Sequence, residues 1–245
     1  MAFDLEIRVI YEDKDLVAIN KPAGILVHKG AESKSGFNEI TVVSWVLNRY
    51  PEIKTVGDKP EERPGIVHRL DKDTSGVLVI ARNQKSFEYL KKLFQSHEIK
   101  KTYIALVLGK IERNGVINKP IGLRSGTTKR SVRARNIKMI KDAITEYKAI
   151  EYLKFNDQMF TLVKLLPKTG RTHQLRVHLA SINHAIVGDE LYGPKKQVLK
   201  INRQFLHAES IEFTKPDGGR VKLEAELPED LQNVLAQLEK NNPEI

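Results

Sequence analysis

The sequence predicts an α+β protein, a single domain whose mixed, mostly antiparallel central sheet is flanked by helices and loops. The chain has 245 residues, of which 40% are hydrophobic, and this is enough for a sizeable core. Short strand-like segments joined by turns are common, whereas regular strand–helix–strand units are few, as is typical of the α+β class. No internal repeat or linker-like stretch divides the chain, so we expect one domain over residues 1–245.

Hydrophobic patterning predicts about nine short strands. The clearest of them lie over residues 8–12, 16–20, 77–81, 101–108, 144–152, 159–166, 205–214 and 221–227. The run 77–81 is purely apolar, which is typical of a strand buried on both faces. Residues 205–214 and 221–227 flank Pro-Asp-Gly-Gly and therefore predict a closing hairpin.

Helices are predicted in four segments: 41–50, 84–97, 170–182, where a glycine turn comes first and a helix follows, and from Pro228 onwards. Thr41 has a side chain suited to an N-cap, and Pro51 would end the helix that it starts. Residues 84–97 carry apolar side chains at helical spacing. Pro228 suits the first position of a helix, and the acidic pair that follows it would face the positive end of the helix dipole.

The composition excludes several classes of protein. The chain has no cysteine, which excludes a disulfide framework, a thiolate zinc site and a cysteine nucleophile. The N-terminus lacks the pattern of a signal peptide, and no apolar run approaches the ~20 residues that span a bilayer. We expect a soluble cytoplasmic protein with no membrane partner.

The net charge of +10, from 41 Lys and Arg against 31 Asp and Glu, favours a polyanionic partner. The segment between Arg124 and Lys141 contains seven basic residues and no acidic one. We call it the basic segment, and its candidate contacts to a nucleic-acid backbone are Lys129, Arg130, Arg133 and Arg135. The alternative is an ordinary solvated hairpin or loop.

A dense polar loop precedes the buried strand, in the order His68-Arg69-Leu70-Asp71-Lys72-Asp73-Thr74-Ser75-Gly76. Taken alone, these residues could form an ordinary turn. However, His-Arg-Leu-Asp followed by Thr-Ser-Gly and an apolar strand resembles the signature of the RluA-type pseudouridine synthases. These enzymes isomerise chosen uridines in ribosomal and transfer RNA.

Other motifs extend the resemblance over residues 8–228. They are Asn20-Lys21-Pro22-Ala23-Gly24, the Tyr-Ile-Ala-Leu-Val strand from Tyr103, the Arg-Thr-His-Gln-Leu-Arg segment from Arg171, the Gly-Asp-Glu-Leu-Tyr-Gly segment over 188–193, and Leu206-His-Ala-Glu209. Ala185 stands where the family usually has proline. The resemblance implies the pseudouridine synthase fold. Because the first strand starts near Arg8, we expect no additional N-terminal RNA-binding domain.

The resemblance also implies roles for individual residues. Asp71 would be the nucleophile, Arg176 the arginine that pairs with it, and Tyr103 a wall of the uracil pocket that helps to move a proton. Arg69 would fill the gap left by an extruded base. Arg171 and His173, from their place at the N-terminal end of the helix, would contact phosphates, and Leu70 and Leu175 would be apolar pocket walls. The alternative for Arg171, His173 and Arg176 is a set of surface salt bridges. Asp73 would be a turn residue.

The sequence therefore predicts an RNA pseudouridine synthase that needs no cofactor and no metal. Its partner would be structured RNA, either 23S ribosomal RNA or transfer RNA, and no obligate protein partner is indicated. The main alternative is a non-catalytic RNA-binding or ribosome-assembly protein on the same fold. An N-glycosidase would normally need a second carboxylate as base, and a metal nuclease would need a ligand pattern that the polar loop lacks.

Overall fold

A computed structural model of the chain describes residues 6–29, 40–127, 129–132, 137–196 and 198–240. Within these ranges the strands, in chain order, are β1 (Arg8–Glu12), β2 (Leu16–Lys21), β3 (Ser75–Ala81), β4 (Lys100–Leu108), β5 (Asn114–Asn118), β6 (Ile121–Arg124), β7 (Arg130–Ser131), β8 (Ile137–Lys141), β9 (Ile144–Phe155), β10 (Gln158–Pro167), β11 (Leu206–Thr214), β12 (Arg220–Glu224) and β13 (Glu239–Lys240). The helices are α1 (Val42–Arg49), α2 (Gln84–Gln95), α3 (Gln174–Ala180) and α4 (Glu229–Leu235), and a 3₁₀ helix covers Pro51–Thr55.

The α+β prediction is confirmed. Every strand pair whose register the structure gives is antiparallel, and the described residues contain the four predicted helices. The contacts of the chain group it into two compact units. The organisation as a single domain stays a prediction. Among the described residues no helix has the length and apolar content needed to cross a membrane.

The first unit contains the residues up to Lys100 together with Ser210–Glu226. Its strand β2 pairs with β1 on one side and with β3 on the other. All seven positions of β3 are buried, which confirms the buried strand predicted from its apolar run. The apolar side chains that α2 buries are Phe87, Leu90 and Leu93. The first unit therefore has a rigid apolar strand directly after the polar loop.

The second unit contains Lys101–Glu209 and the chain from Leu227 onwards. Strand β10 pairs with β4 and β9, and β9 in turn pairs with β5 and β13. The core of this unit includes the fully buried Leu106, Phe160, Leu165, Leu179 and Phe205. Strand β11 contributes residues to both units, and its C-terminal part, from Ser210, pairs with β12.

The basic segment contains strands that the sequence did not predict. Strands β7 and β8 both pair with β6 in a separate three-stranded sheet. Strands β6 and β7 have only four and two residues, and β8 (Ile-Lys-Met-Ile-Lys) lies in a run of basic residues, so none of them shows the longer apolar alternation by which strands are recognised. Arg133 and Arg135 lie outside the described residues.

Two helices end earlier than predicted. In the segment 170–182 the predicted turn extends to His173, whose left-handed backbone angles (φ 56°, ψ 19°) cannot continue a helix, and α3 ends at Ala180 instead of Ile182. The last helix ends at Leu235, so Leu238 follows it instead of belonging to its apolar stripe.

Candidate active site

The loop that contains Asp71 is attached to β3 by main-chain and side-chain hydrogen bonds. The carbonyl of Gly65 accepts the N–H of Ala81 at 2.9 Å, and Nε2 of His68 accepts the N–H of Val79, also at 2.9 Å. A ring nitrogen that accepts a hydrogen bond carries no proton, so the imidazole of His68 is neutral in this arrangement. The imidazole thus accepts a hydrogen bond from the backbone of β3 and fixes the chain three residues before Asp71.

The close approach of this loop to β3 depends on a glycine and an aromatic contact. Gly65 has φ +69°, and a Cβ at this position would lie 2.5 Å from the carbonyl of Ala81 and 2.7 Å from Cγ2 of Ile53. Only glycine fits both constraints. The ring of His68 stacks on Phe94, with centroids 4.6 Å apart, which holds the imidazole in its accepting orientation.

A buried lysine fixes the other side of the loop. Lys21 is 0% exposed, and its ammonium donates to the carbonyls of Pro22 (2.7 Å), Ile25 (2.9 Å) and Lys72 (2.9 Å). These three carbonyls match the three donors of an ammonium group, and hydrogen bonds from a charged donor are stronger than neutral ones. Lys21 therefore ties the Lys-Pro-Ala-Gly loop to the residue that follows Asp71.

The three consecutive residues that the sequence singled out in this loop differ in exposure. Arg69 is exposed, and among the described residues no acceptor binds its guanidinium. Leu70 is 4% exposed and belongs to the core. Asp71 is partly exposed, and its carbonyl accepts the N–H of Thr74 at 3.2 Å. The turn thus presents the carboxylate of Asp71 from a fixed backbone, while Arg69 points a charge to solvent.

In the second unit Arg176 makes a buried ion pair with Asp189. Its Nε lies 2.7 Å from Oδ2 and its Nη2 lies 2.9 Å from Oδ1, and the two side chains are 7% and 0% exposed. Oδ1 also accepts the N–H groups of Leu191 (2.9 Å) and Tyr192 (3.1 Å). The ring of Tyr192 lies 5.3 Å from the guanidinium carbon of Arg176, a cation–π contact. The Gly-Asp-Glu-Leu-Tyr-Gly segment therefore orients this arginine.

Tyr192 also connects α3 to the basic segment. Its hydroxyl accepts the backbone N–H of Arg130 at 3.0 Å and shares a hydrogen bond of 2.9 Å with Nδ1 of His173. Lys129 reaches the carbonyl of Leu191 at 3.5 Å. The structure thus brings three predicted RNA contacts, Lys129, Arg130 and His173, next to the segment that orients Arg176.

A buried polar network sets the position of α3. Gln174 donates to the carbonyl of Ile144 (3.0 Å) and to Oγ1 of Thr145 (3.1 Å). His178 contacts Oγ1 of Thr145 through Nδ1 and the carbonyl of Lys119 through Nε2, both at 2.9 Å. Because a carbonyl only accepts, Nε2 carries the proton and Nδ1 accepts from the hydroxyl. Burial lowers the pKa of His178 below its ordinary value, so this buried ring is neutral.

The remaining predicted pocket residues belong to the second unit. Tyr103 is partly buried on β4, opposite Leu165 of β10. Leu175 is 7% exposed and lies within the core of this unit, where Tyr103 packs against the core as well. Leu175 therefore serves packing, whatever further role it has in a pocket.

Sequence reasoning assigned no role to Lys21, Asp189 or Tyr192, although each lies in a motif that it singled out. For Asp189 the sequence offered one signal, its position directly after Gly188, a residue that the backbone requires to be glycine. Gly188 has φ +77°, and a Cβ there would lie 2.0 Å from the carbonyl of Arg203. No group of three or more His, Asp or Glu side chains suited to a metal ion occurs in the described part of the chain.

Replacing Asp189 by asparagine should destabilise the protein by about 3–5 kcal/mol, because it leaves the charge of Arg176 buried without a counter-ion. Asp157→Asn is the matched control, since Asp157 is fully exposed and pairs with Lys154 only at 3.9 Å. We expect the control to change stability by less than about 0.5 kcal/mol. Urea unfolding of both variants measures the difference, and equal losses would contradict a structural role for the buried pair.

Stability should fall with decreasing pH below about 6.5, the ordinary pKa of histidine, because the folded state holds His178 neutral while the unfolded chain takes up a proton. The contribution is complete above that pH and is lost towards the lowered folded pKa, at up to about 1.4 kcal/mol per pH unit. His178→Gln should flatten this dependence. His28, whose pKa is also lowered by burial, contributes in the same direction in both proteins. An unchanged slope in chemical unfolding between pH 7 and 5 would contradict this assignment.

Comparison with known proteins agrees with this geometry. The family described as RNA pseudouridylate synthase matches residues 15–181. A ribosomal large subunit pseudouridine synthase D of Nitrosomonas europaea is 38% identical over 239 residues, which cover 94% of this chain and 65% of that protein. An uncharacterized RNA pseudouridine synthase of Chloroflexus aurantiacus is 41% identical over 221 residues, covering 90% of this chain and 66% of that protein.

The chain thus spans slightly less than two thirds of the length of these two relatives. Among solved structures, human RNA pseudouridylate synthase domain containing 1 has the same fold, with a TM-score of 0.77 and 24% identity, over 96% of this chain and 89% of that one. The family match covers more than half of the chain and includes the loop of Asp71, strand β4 and helix α3. The chain belongs to the RNA pseudouridylate synthase family.

Proposed function

We propose that this protein is an RNA pseudouridine synthase that isomerises specific uridines of large-subunit ribosomal RNA. The observation that carries the proposal is the family match over residues 15–181, which includes Asp71, Tyr103 and Arg176. The substrate is taken from relatives such as the one in Nitrosomonas europaea, whose name refers to the ribosomal large subunit. Transfer RNA is the alternative substrate.

In the proposed reaction Asp71 acts at the ribose of the target uridine. Breaking the bond between C1′ and N1 leaves positive character on C1′, which a carboxylate can capture or stabilise. Two routes fit this role: addition of the carboxylate to C1′, or departure of uracil assisted by loss of the C2′ proton. In the first route the bond from C1′ to the carboxylate breaks as C5 attacks C1′, and in the second route C2′ regains its proton as C1′ bonds to C5. In both routes C5 then loses its proton while N1 gains one. No atom or electron is gained overall, so the reaction needs no redox cofactor.

The other predicted residues would hold the charge and the base. Arg176 would pair with Asp71 and keep it ionised, since a nearby guanidinium favours the charged form of a carboxyl group. Tyr103 would stack on the detached uracil, and Leu70 and Leu175 would contribute apolar walls. Arg69 would enter the gap left by the flipped base, and the exposure of its side chain supports that role.

The basic segment would bind the RNA backbone. Within the described residues it presents exposed Lys129, Lys138 and Lys141. Nε of Arg130 is buried without a hydrogen-bond partner among the described residues, so this guanidinium has an unmet donor close to the surface. Arg171 and His173 would add phosphate contacts beside it.

Asp71→Asn should abolish pseudouridine formation, with a rate at least about 10³-fold below that of the wild type, because the amide keeps the size of the carboxylate and removes its charge. The matched control is Asp73→Asn, the same change two residues away at the proposed turn position. Each protein is expressed in cells that lack their own RluA-type enzymes, and pseudouridine is mapped across total RNA. We expect a large-subunit RNA site with the wild type and Asp73→Asn only.

Each other outcome of this mapping contradicts part of the proposal. A site in transfer RNA would overturn the substrate but keep the activity. A site that appears equally with Asp71→Asn would overturn the role of Asp71. No site with any variant, together with RNA binding by the purified protein, would favour the non-catalytic RNA-binding protein.

Lys129→Ala with Arg130→Ala should flatten the dependence of RNA affinity on salt, because each lost phosphate contact lowers the slope of log K against log salt by about 0.7–0.9. The control is Lys148→Ala with Lys154→Ala, which removes two charges from β9 instead. Filter binding of an in vitro transcript of the mapped site between 50 and 300 mM KCl, on the order of the range where such slopes are read, measures both. A slope equal to that of the wild type would remove these two residues from the RNA interface.

A further inference from the structure

Two cationic side chains of the second unit meet beside the turn that precedes α3. Lys101 lies near the start of β4, and its Nζ is 3.4 Å from the carbonyl of Thr169. A Cβ built on Gly170 would lie 3.8 Å from the same nitrogen, so the ammonium group rests against the turn. Arg171, the next residue, donates from Nε to the carbonyl of Asp142 at 3.0 Å. The side chains of Lys101 and Arg171 are therefore neighbours.

Neither cation has a carboxylate partner among the described residues. The acidic side chains on adjacent elements are already paired: Glu146 with Lys168 at 3.0 Å, and Glu209 with Lys164 at 3.6 Å. Asp142 offers Arg171 its carbonyl and makes no ion pair with it. The described part of the protein thus offers no carboxylate that balances these two positive charges.

Burial and the neighbouring charge together affect the pKa of Lys101. Burial, and secondarily the charge of Arg171, lowers the pKa of Lys101 to about 8. Two like charges held together in a partly buried place are unfavourable unless an anion joins them. A pair of this kind is typical of a site for an anionic ligand.

The turn that supports the pair is rigid. The hydroxyl of Thr169 donates to Oε1 of Gln174 at 2.7 Å and accepts the N–H of Ile144 at 3.0 Å. The backbone N–H of Arg171 donates to the same Oε1 at 3.0 Å. Binding an anion here would require little ordering of the protein, which favours affinity.

The position of Lys101 relates the pair to the target nucleotide. Side chains alternate along a strand, so Lys101 and Tyr103 lie on the same face of β4, about 7 Å apart. Tyr103 is the residue that would stack on the uracil. A group bound by Lys101 would therefore lie within one nucleotide of that base.

We propose that Lys101 and Arg171 form a phosphate subsite that holds one phosphodiester of the RNA next to the nucleotide over Tyr103. The proposal rests on the proposed function and adds a specific contact to it. The ammonium and the Nη groups of the guanidinium would donate charge-assisted hydrogen bonds to the phosphate oxygens. The phosphate would in turn favour the protonated form of Lys101, so RNA binding above about pH 8 would be coupled to uptake of one proton.

The test uses an in vitro transcript that carries the mapped site, and bulk transfer RNA as a second probe. Lys101→Met removes the charge and keeps the length of the side chain, while Lys101→Arg keeps the charge without titrating in this range. Arg171→Gln tests the second cation. The control is Lys100→Met, which removes the same charge one residue away, from an exposed side chain that pairs with Glu212. Thermal unfolding verifies that each variant is folded.

We expect Lys101→Met and Arg171→Gln each to weaken binding of the transcript about 5- to 20-fold at 0.1 M salt and to flatten its salt slope by about 0.7–0.9. Lys100→Met should change affinity by less than about 2-fold. Between pH 7 and 9 the affinity of the wild type should fall about 5- to 10-fold relative to that of Lys101→Arg, the loss expected when a group with a pKa of about 8 must be protonated for binding.

The subsite is overturned if Lys101→Met keeps the salt slope of the wild type, if Lys100→Met loses as much affinity, or if Lys101→Arg shows the same pH dependence as the wild type. Failure of the proposed function looks different. In that case the wild type forms no pseudouridine in either RNA, whereas the dependence of RNA binding on salt and pH is still measurable with bulk transfer RNA.

Discussion

The bidentate ion pair between Arg176 and Asp189 is the interaction that fixes the position of Arg176 in the second unit. Burying two charges costs more than it returns unless the remaining hydrogen-bonding groups are satisfied. Here Oδ1 of Asp189 accepts two backbone N–H groups in addition to the guanidinium, and the ring of Tyr192 covers the arginine. The result is an arginine whose direction is set by its ion pair and by packing, as a functional side chain requires.

In the first unit the loop of Asp71 is fixed by hydrogen bonds from other kinds of side chain. Lys21 uses backbone carbonyls as its acceptors and thereby ties one loop to the residue after Asp71. His68 uses its neutral ring as an acceptor for a strand N–H. Both contacts act on the backbone, so they fix the chain on either side of Asp71.

The extent to which the fold could be predicted follows from the range of the interactions involved. Strand β3 and helix α2 were found because their apolar periodicity is local, and Thr41 caps α1 as its type suggests. Strands β6 and β7 were missed because they are short, and β8 because it lies in a run of basic residues. The late start of α3 at Gln174 depends on the left-handed backbone of His173, which no glycine or proline marks in the sequence.

The candidate site follows from the sequence only at the level of residue types in motifs and stays a prediction. The resemblance singled out Asp71, Tyr103 and Arg176, and the family match includes all three. The partners that orient such residues were not predictable, because they are distant in sequence: His68 reaches Val79, and Lys21 reaches Lys72. Local patterns contain no information about a pairing that forms only when the chain has folded.

Whether a cationic side chain is already bonded to the protein says more about its role than the net charge of the chain does. The sequence has 41 Lys and Arg and a net charge of +10, which alone indicates only a general affinity for polyanions. Lys21 and Arg176 are buried and bonded to protein acceptors, so their charge is already used. Arg69 has no protein acceptor among the described residues, and Lys101 and Arg171 bind only single carbonyls with their side chains there. Since a charge without a counter-ion gains most from an anionic ligand, side chains of this kind, and not the total charge, are the candidates for contact with RNA under the proposed function.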